Sequence, residues 1–155
     1  MKRLALPLVL AVLSAAVNGA AAGGDPDAAG KPAGHPSVTL DRLDLSASPL
    51  PASEEKYLRD VLAREAHNAD WGAGSGARIE YRFRLEELAV TETSGIVRVR
   101  CSATGFLPKG KRARGRLAVG GAPKDHAKLV HHALEVVIQS VITRLADIER
   151  QRRRR

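Results

Sequence analysis

ARIEYRFRLEE, residues 77–87, sets Ile79, Tyr81, Phe83 and Leu85 in strict alternation with Arg78, Glu80, Arg82, Arg84 and Glu86. Successive side chains of a strand point to opposite faces, so this period of two marks a strand with one oily face and one wet face. A helix would space its apolar residues at three and four instead. The stretch predicts a half-buried strand, and its neighbours must supply whatever covers the oily side.

Downstream the pattern repeats twice. TETSG, residues 91–95, offers a turn, after which Val97, Val99, Cys101 and Ala103 alternate with Arg98, Arg100, Ser102 and Thr104. Pro108-Lys109-Gly110 offers a second turn, and Ala113, Gly115, Leu117 and Val119 then alternate with Arg112, Arg114, Arg116 and Ala118. Three alternating runs joined by turn residues predict an antiparallel meander.

The covering layer comes from both sides of the meander. Val38 and Leu40 alternate in one phase and Leu43 and Leu45 in the other, which predicts a strand with a bulge near Asp41-Arg42. Pro49 and Pro51 end it. Ser53 is placed as an N-cap, with Glu54 and Glu55 in the first turn, and Leu58, Val61, Leu62 and Ala66 form one helical stripe. The loop HNADWGAGSGA follows, with Trp71 expected to anchor it at the rim of the core. After the meander, Pro123 opens a long helix. Val130, Leu134, Val137, Val141, Leu145 and Ile148 recur along it, widened by Ala133, Ile138 and Ile142. From Lys124 to Arg150 this helix would reach about 40 Å, against about 30 Å for nine-residue strands. Its end should therefore overhang the sheet and carry the basic tail, residues 151–155, into solvent.

The expected fold is α+β: a two-layer sandwich in the order β-α-β-β-β-α, with a four-stranded mixed sheet and both helices on one face. Apolar burial of this extent needs no disulfide or metal. Cys101, the single cysteine, falls on the inward parity and is expected to be a small core residue.

The first residues carry a different message. MKRLALPLVLAVLSAAVNGAAA begins with Lys2 and Arg3, continues apolar from Leu4 to Val17, and ends on small residues at Ala20 to Ala22. That order is expected of a secretory signal peptide cleaved near Ala22, and the apolar run is short of the about 20 residues that cross a bilayer. A flexible Gly/Pro/Ala leader at 23–36, a single domain at 37–150 and no membrane span after the signal complete the expected plan. The expected location is periplasmic or secreted, and the absence of a cysteine at the end of the signal removes the usual site of lipid attachment.

Charge is unevenly placed. Residues 23–77 hold five basic and nine acidic side chains, residues 78–119 hold ten and four, and residues 120–155 hold eight and four. The excess positive charge coincides with the alternating strands. A sheet covered on one side leaves the other to water, so Arg82, Arg84, Arg98, Arg100, Arg112, Arg114 and Arg116 are expected on one open face. Glu86 is expected to meet Arg98 or Arg100 there. The arginine fork binds carboxylate and phosphate bidentately, which makes these seven the candidate binding residues for an anionic envelope component or an acidic protein partner. Nucleic acid is not expected, since single-strand binders interleave bases with aromatic rings and the outward positions offer only Phe106.

Other chemistry is sparse. His126, His131 and His132 lack the i, i+4 spacing of a helical metal pair, so no metal, cofactor or catalytic residue is expected, and exposed helix histidines are the plain alternative. Glu86 and Glu87 point to opposite faces unless a bulge intervenes, and the same holds for Asp41 and Asp44. GAGSG follows a helix, which is the wrong context for a phosphate loop.

By element order alone, residues 37–150 resemble small, uncharacterised exported αβ proteins of high-GC Gram-negative bacteria. In outline they are also similar to the lipoprotein activators of penicillin-binding proteins and the amino-terminal domain of the Tol-system propeller protein. That resemblance implies an envelope setting and carries over no residue, because no motif is shared. The expectation is an exported, non-enzymatic binding or accessory domain. Two alternatives stand beside it. One is a docking or self-associating module, a homo-oligomer included, that uses a sheet edge or the stripe holding Ile138 and Ile142. The other is a hydrolase, which would need a pocket gathering His67 or His126 with an acid.

Overall fold

The structure, a computed structural model, describes residues 34–74 and 77–154; the expected export signal and the leader up to residue 33 lie outside them. Strand β1 spans Ser37–Asp44, helix α1 Ala52–Asn68, β2 Arg78–Thr93, β3 Ile96–Phe106, β4 Arg112–Gly121 and helix α2 His126–Arg153. The strands lie side by side in sequence order, with β1 parallel to β2 and the other two neighbours antiparallel. This is the α+β layout that the alternation predicts.

Parity decides which side is buried. Ile79, Tyr81, Phe83 and Leu85 of β2 and Val97, Val99, Cys101 and Ala103 of β3 are each buried, as are Leu58, Val61, Leu62 and Ala66 of α1. Helix α2 adds Val130, Ala133, Leu134, Val137, Ile138, Val141, Ile142, Leu145 and Ala146 to the same core. The stripe with Ile138 and Ile142 is therefore spent inside the domain and offers no apolar docking face.

Two bulges change the phase. The β1 register slips between Leu40 and Arg42, as the apolar pattern there predicts. A second slip, between Leu85 and Glu87, is the bulge that the sequence left as the condition for Glu86 and Glu87 to share a face. It lets β2 run on for 16 residues with inverted parity, Leu88 facing Cys101 and Val90 facing Val99. At about 3.3 Å per residue β2 reaches about 53 Å, so the β2–β3 ribbon and not α2 is the longest feature. Ser94 and Gly95 close this ribbon, both at positive φ, as a two-residue hairpin turn requires. Ser48 Oγ accepts the Leu88 N–H at 3.1 Å beyond the end of β1.

Three local expectations change. Helix α1 begins after Pro51 with no side-chain cap, so Ser53 sits within its first turn and is not the N-cap. Proline's fixed φ already sets the chain for the helix. Helix α2 runs to Arg153, so Gln151–Arg153 extend the helix and are not a separate tail. Its last turn is tied down on one side, where Arg150 reaches Asp70 at 2.5 Å and Arg153 reaches the Ala73 carbonyl at 3.4 Å in the loop after α1, while Gln151, Arg152 and Arg154 are exposed to solvent as expected.

Helix α2 comes closest to the sheet at Gly105 and Gly115. A Cβ on Gly105 would lie 2.6 Å from Leu145 Cδ1 and 2.7 Å from Val141 Cγ1. Gly105→Ala is expected to cost about 1–3 kcal/mol by forced displacement of that helix, read as a lower urea midpoint. Gly120→Ala, with nothing nearer than 3.5 Å, should leave the midpoint almost unchanged.

Candidate functional site

The face of the sheet away from the helices is ordered in rows by the strand register. Arg42, Arg82, Phe106 and Arg112 form the first row across all four strands. Asp44, Arg84, Thr104 and Arg114 form the next. Glu87, Ser102 and Arg116 follow, then Ala89, Arg100 and Ala118, then Thr91, Arg98 and Gly120. All seven candidate arginines are exposed on this one face. Arg78 and Arg42 join them. The sequence reading missed Arg42, although the Asp41 bulge that turns it outward was legible in the phase slip of β1.

Carboxylates neutralise only part of the row system. Arg84 Nε donates to Asp44 Oδ2 at 2.8 Å, and Arg78 Nε lies 3.0 Å from Glu80 Oε1. The hydroxyl and N–H of Ser46, and then Arg84, hold the Asp44 carboxyl down at about 2. Glu86, displaced by the bulge, accepts from Thr104 Oγ1 at 2.7 Å and pairs with Arg114 Nη2 at 2.7 Å, an ion pair too poorly angled to be a hydrogen bond. Glu87 lies 3.4 Å from Arg100 Nε. Glu86 thus meets Arg114 and not Arg98 or Arg100, and the bulge brings both glutamates to one face. Each is matched to a guanidinium, which leaves no free acid/base pair. Among the described residues, no carboxylate lies within 4 Å of a nitrogen of Arg42, Arg82, Arg98, Arg112 or Arg116.

Phe106 is the aromatic member of this face. Its ring centroid is 5.9 Å from Cζ of both Arg82 and Arg84, within cation–π range. A cleft of about 230 Å³ opens there, lined by Arg42, Asp44, Arg82, Phe83, Arg84 and Phe106.

The other layer holds the larger opening, about 890 Å³ between β1 and the C-terminal half of α1. Val38, Leu40, Ala63 and Ala66 line it with Trp71 and Tyr81. Trp71 is buried and donates its indole N–H to the Ala66 carbonyl at 2.8 Å, so it does anchor the loop at the core rim. His67 and Asp70 share this cleft, the juxtaposition that a hydrolase would need. Asp70, however, is engaged by Arg150 and by the Gly72 N–H at 2.9 Å, and no hydrogen bond among the described residues joins it to His67.

His131 is not a plain solvent-exposed helix residue. It stacks on Tyr57 at 4.0 Å between ring centroids and lies 3.2 Å from Glu54 Oε2. Tyr57 donates to Glu135 Oε1 at 2.9 Å, and Arg64 joins the same oxygen at 3.2 Å, so this group clamps α1 to α2. Among the described residues, no three His, Cys, Asp or Glu are grouped to hold a metal ion. Cys101 is buried, and burial pushes its thiol up to about 12.

Among the described residues, Glu149 is the one buried carboxylate. Burial alone would raise its pKa, but hydrogen bonds from Arg152 at 2.6 Å and Arg153 at 2.9 Å hold it below the ordinary range. Among the described residues, no helix is long and apolar enough to cross a membrane.

No protein-family model and no curated protein matches the chain. Among solved structures, a candidate lipoprotein of Caulobacter crescentus CB15 is similar at 11% identity and a TM-score of 0.43, covering 76% of this chain and 90% of that one. A minor lipoprotein of Acinetobacter baumannii is similar at 15% identity and a TM-score of 0.40, covering 74% and 91%. At these scores the likeness assigns no role to this chain.

A carboxyl held low in the folded state adds stability above its unfolded pKa and loses it as pH falls through the folded value. The urea midpoint should therefore drop on acidification below about pH 4, and Glu149→Gln should show a smaller drop. The native Cys101 thiol should stay unreactive toward a disulfide reagent at neutral pH and react once urea unfolds the chain.

Proposed function

We propose that the protein is an exported, non-enzymatic binding or accessory domain whose arginine face contacts an anionic envelope component or an acidic protein partner. The observation that carries this reading is the charge imbalance of the open face. Nine arginines share it with Asp44, Glu80, Glu86 and Glu87, and Asp41 sits exposed at its edge, an excess of at least four positive charges.

Physical chemistry makes that arrangement costly to leave alone. Like charges directly opposite on neighbouring strands destabilise the sheet by roughly 0.2–1 kcal/mol per pair, and Arg42 stands opposite Arg82 with no carboxylate between them. An anionic partner would relieve this repulsion. The apolar stripe of α2 around Ile138 and Ile142 is buried in the core and is not open to a partner. Export rests on the amino-terminal pattern of basic start, apolar run and small-residue end, and it places the face where phosphorylated and acidic envelope polymers occur.

The reading is tested on the purified protein and a bacterial envelope fraction. Binding should weaken steeply between about 50 and 200 mM salt as screening sets in. An Arg82→Glu/Arg84→Glu variant that keeps the native circular dichroism should lose at least tenfold in retention. Unchanged retention in that variant would remove the reading.

A further inference from the structure

Within the arginine face, the geometry points to one subsite at the Arg42–Arg82–Phe106–Arg112 row, and we propose that it takes a phosphorylated saccharide. This rests on the reading of the face as an anion-binding surface and names the chemistry of its ligand.

The first argument is a contrast between adjacent rows. In the Asp44–Arg84–Thr104–Arg114 row both guanidiniums have carboxylates, at 2.8 Å and 2.7 Å. One step along the strands, Arg42, Arg82 and Arg112 have none, although the chain places Asp44 and Glu86 nearby. The same sheet thus neutralises one row and leaves the next as a triple cation. Neighbouring strands lie about 4.8 Å apart, so Arg42 and Arg82 can grip one dianionic phosphate between them. Arg112 lies two strands from Arg82, on the far side of Phe106.

The second argument is what surrounds the cations. A polyanion held by charge alone needs no aromatic ring, yet Phe106 stands in the row itself and presents its ring beside Arg82 and Arg84. A ring face suits the C–H face of a sugar. The Asp44 carboxylate lines the same cleft. Its low pKa keeps it an acceptor at any physiological pH, and sugar hydroxyls are donors that it can bind. The cleft's volume of about 230 Å³ corresponds to some seven or eight waters at about 30 Å³ each, which suits one sugar unit and not a long groove. Guanidiniums for phosphate, a ring for the sugar face and a carboxylate for hydroxyls together fit a sugar phosphate better than a peptide of acidic side chains, which brings no hydroxyl donors for Asp44 to accept.

Calorimetric titration with N-acetylglucosamine 1-phosphate, N-acetylglucosamine, inorganic phosphate and a hexaglutamate peptide tests this. The sugar phosphate should bind at least tenfold more tightly than any of the other three. Arg42→Gln/Arg82→Gln should abolish that binding, while Arg98→Gln, at the other end of the face, should leave it intact. Phe106→Leu should reduce the sugar phosphate to the level of inorganic phosphate without weakening inorganic phosphate itself. Should Phe106→Leu fail to fold, the comparison of the four ligands on the unaltered protein still decides. Equal or tighter binding of hexaglutamate, or no advantage of the sugar phosphate over phosphate, overturns the saccharide assignment and leaves the charged face standing. Silence from all four ligands overturns the subsite. If envelope retention is then also indifferent to Arg82→Glu/Arg84→Glu, the face itself falls with it.

Discussion

Helix α2 lies against the backbone of β3 and β4 at two glycines, and that close approach organises the molecule. Gly115 would place a Cβ 3.0 Å from the Val137 carbonyl oxygen, and Gly105 would place one among Leu145 and Val141. Without those side chains the helix sinks onto the strands and buries its apolar stripe from Val130 to Leu145, with Ile148 half-buried at its end. That side of the sheet is then occupied as far as the distal end of the β2–β3 ribbon, where Val90 is exposed. Most residues of opposite parity are left to water, Ser102 and Thr104 excepted, and the arginines follow from that geometry: they sit where they do because their neighbours in sequence had to face the helices.

Much of this was legible from alternation alone. The inward set of β2 and β3, the layer order and the seven arginines of the open face all follow from a period of two, because a single-residue step reverses a strand side chain. What the alternation concealed lies at the bulges. The slip at Asp41 is visible in the apolar phase of β1, but that it turns Arg42 to the open face is set by the register with β2. The slip at Glu86 left no comparable mark, since the polar pair Glu86-Glu87 precedes a weakly alternating run through Leu88 and Val90. A bulge conserves hydrophobic pattern on each side while moving the phase, so a periodicity read in one window loses it. That concealed the length of β2 and the convergence of two glutamates on the arginine face.

Charge pairing was the other illegible part. Composition places an excess of basic residues between 78 and 119, but only register decides which guanidinium meets which carboxylate. Arg84 and Arg114 are matched while Arg82 and Arg112, each two residues away in the chain, are not. The termini show the same dependence on tertiary contact. Arg153 would read as part of a solvated basic tail, but the loop at 70–74 offers it the Ala73 carbonyl, as it offers Asp70 to Arg150, and the helix persists to it.

The bulge at Asp41 also sits on an outer strand, since among the described residues β1 pairs only with β2. An unpaired strand flank is a template on which a second molecule can stack its own backbone. Here the hydrogen-bonding step is broken midway, so an incoming straight strand could match Ser37–Leu40 or Arg42–Asp44 but not both in one register. The irregularity that turns Arg42 toward water thereby also guards this border of the sheet against runaway polymerisation.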